Sequence, residues 1–189
     1  MKSLKQDILD IGAIEYSFPE NIDKRIEVFC RYKKINVYEV PEINKMKPIE
    51  NDVLFKNIKR QNKTFIISRI PTKERIICVR PIDFTNSSIG ELEFALWHEY
   101  GHINLKNTKT DKLRGEKYAD IFAINRLNEY YDGETAKYIY LHWLFKEYEM
   151  NPETGEYVFD DPFEQYTHRK EWLDQYVANG IKNYRKYFN

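Results

Sequence analysis

Apolar side chains recur along this chain at two periods, and the switches between them mark out the elements. Ile8, Leu9, Ile11 and Ile14, followed by Ile22, Ile26, Val28 and Phe29, predict one or two short helices within residues 1–34, broken around Ser17, Phe18 and Pro19. From 35 to 41 the order Ile-Asn-Val-Tyr-Glu-Val-Pro alternates apolar and polar, the pattern of a half-buried strand. Residues 63–69 and 75–80 carry the β-branched runs of two further strands, with Pro71, Thr72, Lys73 and Glu74 as the turn of an antiparallel hairpin.

Helical spacing then takes over. Ser88 and Glu91 stand three apart, as the two halves of a capping box, and predict a helix from Ser88 to about Leu105. Ile89, Leu92, Leu96, Tyr100 and Ile103 make one apolar stripe on it, leaving the other face to open towards a cleft. A second helix is expected from Lys112 or Leu113, reached through a loop at Asn107 to Asp111 that suits antiparallel neighbours. After a turn at Asp132 and Gly133, residues 134–149 read as a third, with Ala136, Ile139, Tyr140, Trp143 and Leu144 as its apolar positions. Asp161-Pro162-Phe163-Glu164 combines a cap, a first-turn proline and an acid, and opens a last helix towards Asn189 with an interruption at Asn179-Gly180. The layout is a helix-rich α+β fold with a small antiparallel sheet beside a helix pair. A single domain is expected over 1–189, with a core at about 35–150 and a helical extension at about 161–189.

The first helix of that pair carries His98-Glu99-Tyr100-Gly101-His102, the H-E-x-x-H signature. Residues four apart share a helical face, so both imidazoles can address one ion. Glu99 projects about 100° away, which suits a carboxylate that touches the reacting water as a general base and leaves the ion alone. A catalytic zinc site needs a third protein ligand, and two His with one Glu is an established set. Glu116 fits on the second helix. Glu129, further along the same stretch, is its rival. Asp120, one turn after Glu116, suits an acceptor for the outer N–H of a ligand imidazole, that of His98, although a plain solvated acid is the alternative. Ala119 and Ala123 are small enough to let this helix approach the one bearing Gly101.

His98-Glu99-Tyr100-Gly101-His102 followed by Glu116-x-x-Ala119-Asp120-x-Phe122-Ala123 resembles the ImmA/IrrE family of zinc metallo-endopeptidases, relatives of the thermolysin-like gluzincins, over roughly residues 63–130. The resemblance implies His98, His102 and Glu116 as zinc ligands, Glu99 as catalytic base, Asp120 as a supporting residue, and a zincin-type active-site helix pair. It implies cleavage of a protein substrate, with a helix-turn-helix repressor of a phage or mobile element as the expected kind and an anti-repressor role to match. In thermolysin-like enzymes a strand before the metal helix lines the cleft, and strand 75–80 is the candidate edge for an extended peptide, with an ordinary core hairpin as the alternative that can hold at the same time. His142, His168 or Tyr138 could donate to the oxyanion of a tetrahedral intermediate, against the simpler reading that they pack. A catalytically silent module that sequesters a partner protein is the alternative function, and a small-substrate aminopeptidase a weaker third.

Composition narrows this further. Thirty basic and thirty acidic residues cancel, so bulk charge predicts neither nucleic-acid nor membrane binding. The local run Lys106, Lys109, Lys112, Arg114 and Lys117 reads as a solvated loop that could also dock an acidic partner. Fifteen tyrosines, eleven phenylalanines and three tryptophans could stack bases, but with no basic excess they are assigned to core and cleft lining. Cys30 and Cys78 are too few and too far apart for a disulfide framework or a zinc knuckle, and read as buried thiols. No apolar run is long enough to span a bilayer and no leader is apparent, so a cytoplasmic protein is expected.

Overall fold

A computed structural model of the protein describes residues 2–61, 64–69, 74–80, 88–104 and 112–147, together with Glu171. Its first elements form where the sequence offers caps. Ser3 accepts the Gln6 N–H at 3.1 Å and opens α1 (Leu4–Asp10), which buries Leu4 and Ile8 one turn apart. Gly12, at φ 97°, takes the left-handed conformation that reverses the chain into β1 (Ile14–Glu15). Asp23 caps α2 (Lys24–Lys33) by accepting from the Arg25 N–H, and Lys34 closes it in the left-handed region. Then come β2 (Asn36–Glu39), a short 3₁₀ turn at Ile43–Lys45, and α3 (Asp52–Arg60), capped by Asn51.

The hairpin at 63–80 is present as β3 (Phe65–Arg69) and β4 (Glu74–Val79), antiparallel, with Phe65 opposite Cys78 and Arg69 opposite Glu74. The expectation of an all-antiparallel sheet is corrected. The four described strands run in the order β1-β2-β4-β3, and β2 pairs with β4 in parallel, Asn36 opposite Ile76 and Glu39 opposite Val79. A parallel neighbour needs a long crossover, and the chain between β2 and β4, carrying α3 and β3, supplies one. The same order overturns the reading of residues 75–80 as a free edge: β4 is hydrogen-bonded on both sides, and its Ile76–Val79 run is wholly buried, as a central strand's should be. Ile8 and Leu4 of α1, Ile58 of α3 and Phe65, Ile76 and Cys78 of the sheet belong to one core cluster.

Contacts divide the chain into two compact units between Glu99 and Tyr100, a cut that falls inside α4 (Ile89–Asn104). The second unit contains α5 (Lys112–Asn128) and α6 (Gly133–Glu147). Ala119, Ile121, Ala123 and Leu127 of α5 are buried, as are Ala136, Ile139 and Tyr140 of α6. Asp132 caps α6, its Oδ1 accepting from the N–H groups of Glu134 at 3.1 Å and Thr135 at 3.0 Å. The described chain is thus a helix-rich α+β protein with a small mixed sheet. Among the described residues no helix is long and apolar enough to cross a membrane. The loop at 107–111 and the helix expected from Asp161 to Asn189 lie outside the described residues.

Candidate metal centre

The capping box that starts α4 is reciprocal: the Ser88 N–H donates to Glu91 Oε2 at 2.6 Å and the Glu91 N–H to Ser88 Oγ at 3.4 Å. Beyond it the helix departs from a single apolar stripe, for every residue from Gly90 to Gly101 is buried. Its acids survive burial by finding partners. Glu91 is held by the cap, and Glu93, fully buried, accepts the Asp23 N–H at 2.7 Å. The expected open face is therefore narrow. His98 and Glu99 are 7% and 9% exposed, and Phe94, one turn before His98, packs with its ring centroid 6.0 Å from the imidazole's.

At Gly101, α5 comes close to the end of α4. A Cβ placed on Gly101 would lie 2.6 Å from the Ala119 Cα and 3.1 Å from its Cβ, so a glycine on one helix facing an alanine on the other is a steric requirement. That approach carries the next residue along: His102 Nε2 stands 3.5 Å from Glu116 Oε1. A charge-assisted hydrogen bond would be shorter, at about 2.7–2.9 Å. Two donors each about 2.0–2.1 Å from a tetrahedral zinc are about 3.4 Å apart, and the observed separation matches that. One donor atom from each of His98, His102 and Glu116 can be chosen so that all three lie within 4.8 Å of one another. Closing the set onto one ion takes side-chain adjustment on the order of 1 Å. His98, His102 and Glu116 thus form a group, one member buried and two partly buried, that could bind a metal ion.

Other expected participants fall as follows. Asp120 is fully buried, and its Oδ2 accepts the phenol of Tyr140 at 3.0 Å, so the reading of Asp120 as a solvated acid is overturned. Glu129, the rival ligand, lies beyond the end of α5, exposed and paired with Arg126 at 3.2 Å. Tyr138 is 67% exposed. The His142 side chain and His168 lie outside the described residues. Two residues were missed by the pattern alone. Tyr140 counted only as an apolar position, although a buried tyrosine hydroxyl needs an acceptor and so announces one. Glu93 gave no signal, since its partner is a backbone N–H 70 residues earlier.

Cys78 bears on the choice of ligands. Burial pushes its thiol up to about 12 from an ordinary 9.0; Arg80 works against that shift and the Glu99 carboxylate adds to it. Near neutral pH it is a protonated thiol, and it is not a member of the group of side chains that could hold an ion.

Compared with known protein families, curated proteins and solved structures, the chain has no match.

Proposed function

We propose that the protein is a zinc-dependent endopeptidase acting on a protein substrate, with His98, His102 and Glu116 as the metal ligands and Glu99 as general base. The observation that supports this most is the 3.5 Å separation of His102 Nε2 and Glu116 Oε1, drawn from two helices and joined by His98 within the same small group. Zinc, when bound, supplies Lewis acidity that polarises a carbonyl and brings the pKa of a water ligand towards neutrality. Glu99 then does the proton work: its carboxylate takes the proton of the attacking water and delivers it to the departing amine. Burial of Glu99 keeps bulk water from competing for that proton. A helix-turn-helix repressor as substrate, with the chain acting as an anti-repressor, belongs to this proposal through the resemblance to ImmA/IrrE enzymes.

The test is paired. Glu99→Gln should retain one equivalent of zinc and lose roughly 10²–10⁴-fold in peptide hydrolysis, while His98→Ala should lose both zinc and hydrolysis. Full hydrolysis by the Gln variant would reject the mechanism. Zinc uptake and tight retention of a partner by the wild-type chain, with no cleavage, would replace the enzyme by the sequestering module.

A further inference from the structure

The Tyr140–Asp120 hydrogen bond is a buried side-chain link between α5 and α6. Both residues are completely buried, their oxygen atoms are 3.0 Å apart, and the acid lies one helical turn after Glu116. A carboxylate in such a place is costly unless its acceptor sites are used. A tyrosine is a demanding partner, since its rigid ring fixes the direction of a single O–H. Phenylalanine would fill the same core position in α6 just as well, so packing alone does not account for the hydroxyl.

We infer that Tyr140 is a positioning residue for the metal centre: by donating to Oδ2 it fixes the Asp120 carboxylate, so that Oδ1 is the atom that accepts the outer N–H of an imidazole of the His98–His102 pair. This rests on the proposed metal site and extends it by one residue on a third helix. The chain of effect runs from Tyr140 through Asp120 to the tautomer and tilt of a ligand imidazole. Partners of this outer kind typically change metal affinity by about 10–100-fold when removed.

The test measures Zn²⁺ affinity by competition with a fluorescent chelator, and urea stability of the metal-free chain, for wild type, Tyr140→Phe, Asp120→Asn and the double variant. Zn²⁺ binding by Tyr140→Phe should weaken about tenfold, and the double variant should bind within about twofold of Asp120→Asn alone, because Tyr140 acts only through the acid. A purely structural bond would lower the stability of metal-free and zinc-loaded chains equally and leave affinity unmoved. Wild-type affinity in Tyr140→Phe, or losses that add in the double variant, would overturn the inference. If Tyr140→Phe does not fold, Asp120→Asn carries the test, since it leaves no buried charge unpaired: its Zn²⁺ affinity should fall about 10–100-fold, and wild-type affinity in Asp120→Asn would overturn the inference. Absence of Zn²⁺ binding by wild type would instead reject the metal site itself.

Discussion

At the scale of single residues, the reach of sequence depends on whether a side chain's partner lies nearby along the chain. His98, Glu99 and His102 declare themselves because helical spacing alone puts the imidazoles on one face. Asp120 half declares itself: its place one turn after Glu116 is visible, but its bond to Tyr140 joins two helices. Cys78 was legible as a buried thiol, and its titration yields a prediction. Its folded pKa of about 12 lies above the ordinary value of 9.0, so its contribution to stability is complete below about pH 9 and is lost as pH rises towards 12. Unfolding by urea should therefore become easier above pH 9, by up to about 1.4 kcal/mol per pH unit in that interval, and less so in Cys78→Ala. At pH 8 the folded chain should leave Cys78 unlabelled by a disulfide reagent that reacts fully in urea. Rapid labelling in the folded state would contradict its burial.

At the scale of elements, the hairpin and α5 were readable from periodicity, and α4 from periodicity together with its capping box. β1 was not, since two residues carry no period. α3 went unread although its signals are local: Asn51 caps it, and Leu54, Phe55 and Ile58 keep helical spacing on its one packed face. The parallel pairing of β2 with β4 was beyond reach, because alternation fixes which face a strand buries and not which strand lies beside it. Where helices meet, small residues did carry the signal. Gly101→Ala gains about 1 kcal/mol in helix propensity but sets a methyl against the Ala119 backbone, and overpacking costs about 1–3 kcal/mol. Backbone yields less readily than a side chain, so the clash wins; the variant should be less stable in urea and bind Zn²⁺ more weakly. Stability at or above wild type would show that the helices do not meet so closely.

The cap of α6 gives an element-scale pH prediction. Thr135 above all, through its hydroxyl and its N–H, holds the Asp132 carboxyl below its ordinary range. A depressed carboxylate stabilises the fold above its unfolded pKa and loses that contribution as pH falls through the folded value. Asp132→Ala should lower the urea midpoint at pH 7, and the gap to wild type should narrow as pH drops below about 4. A gap that persists unchanged in acid would remove the charge from the explanation.

At the scale of the whole molecule, sequence conveyed the helix-rich α+β class and the grouping of His98, His102 and Glu116, but misjudged how the sheet is ordered. Moving β4 from edge to centre withdraws it as a surface for an extended substrate, since its backbone groups are already paired on both sides. The trio was legible despite the 13 residues between His102 and Glu116, because the glycine and alanine that let two helices touch are written beside them. The proposed activity depends on those three side chains holding one ion together. Metal analysis of the purified protein, with X-ray absorption at the zinc edge, tests this most directly. One zinc per chain is predicted, with two imidazole nitrogens and a carboxylate oxygen at about 2.0–2.2 Å, and it should be lost in His98→Ala and sharply weakened in Glu116→Ala. Zinc held as tightly by Glu116→Ala as by wild type, or no zinc in the wild-type chain, would contradict it.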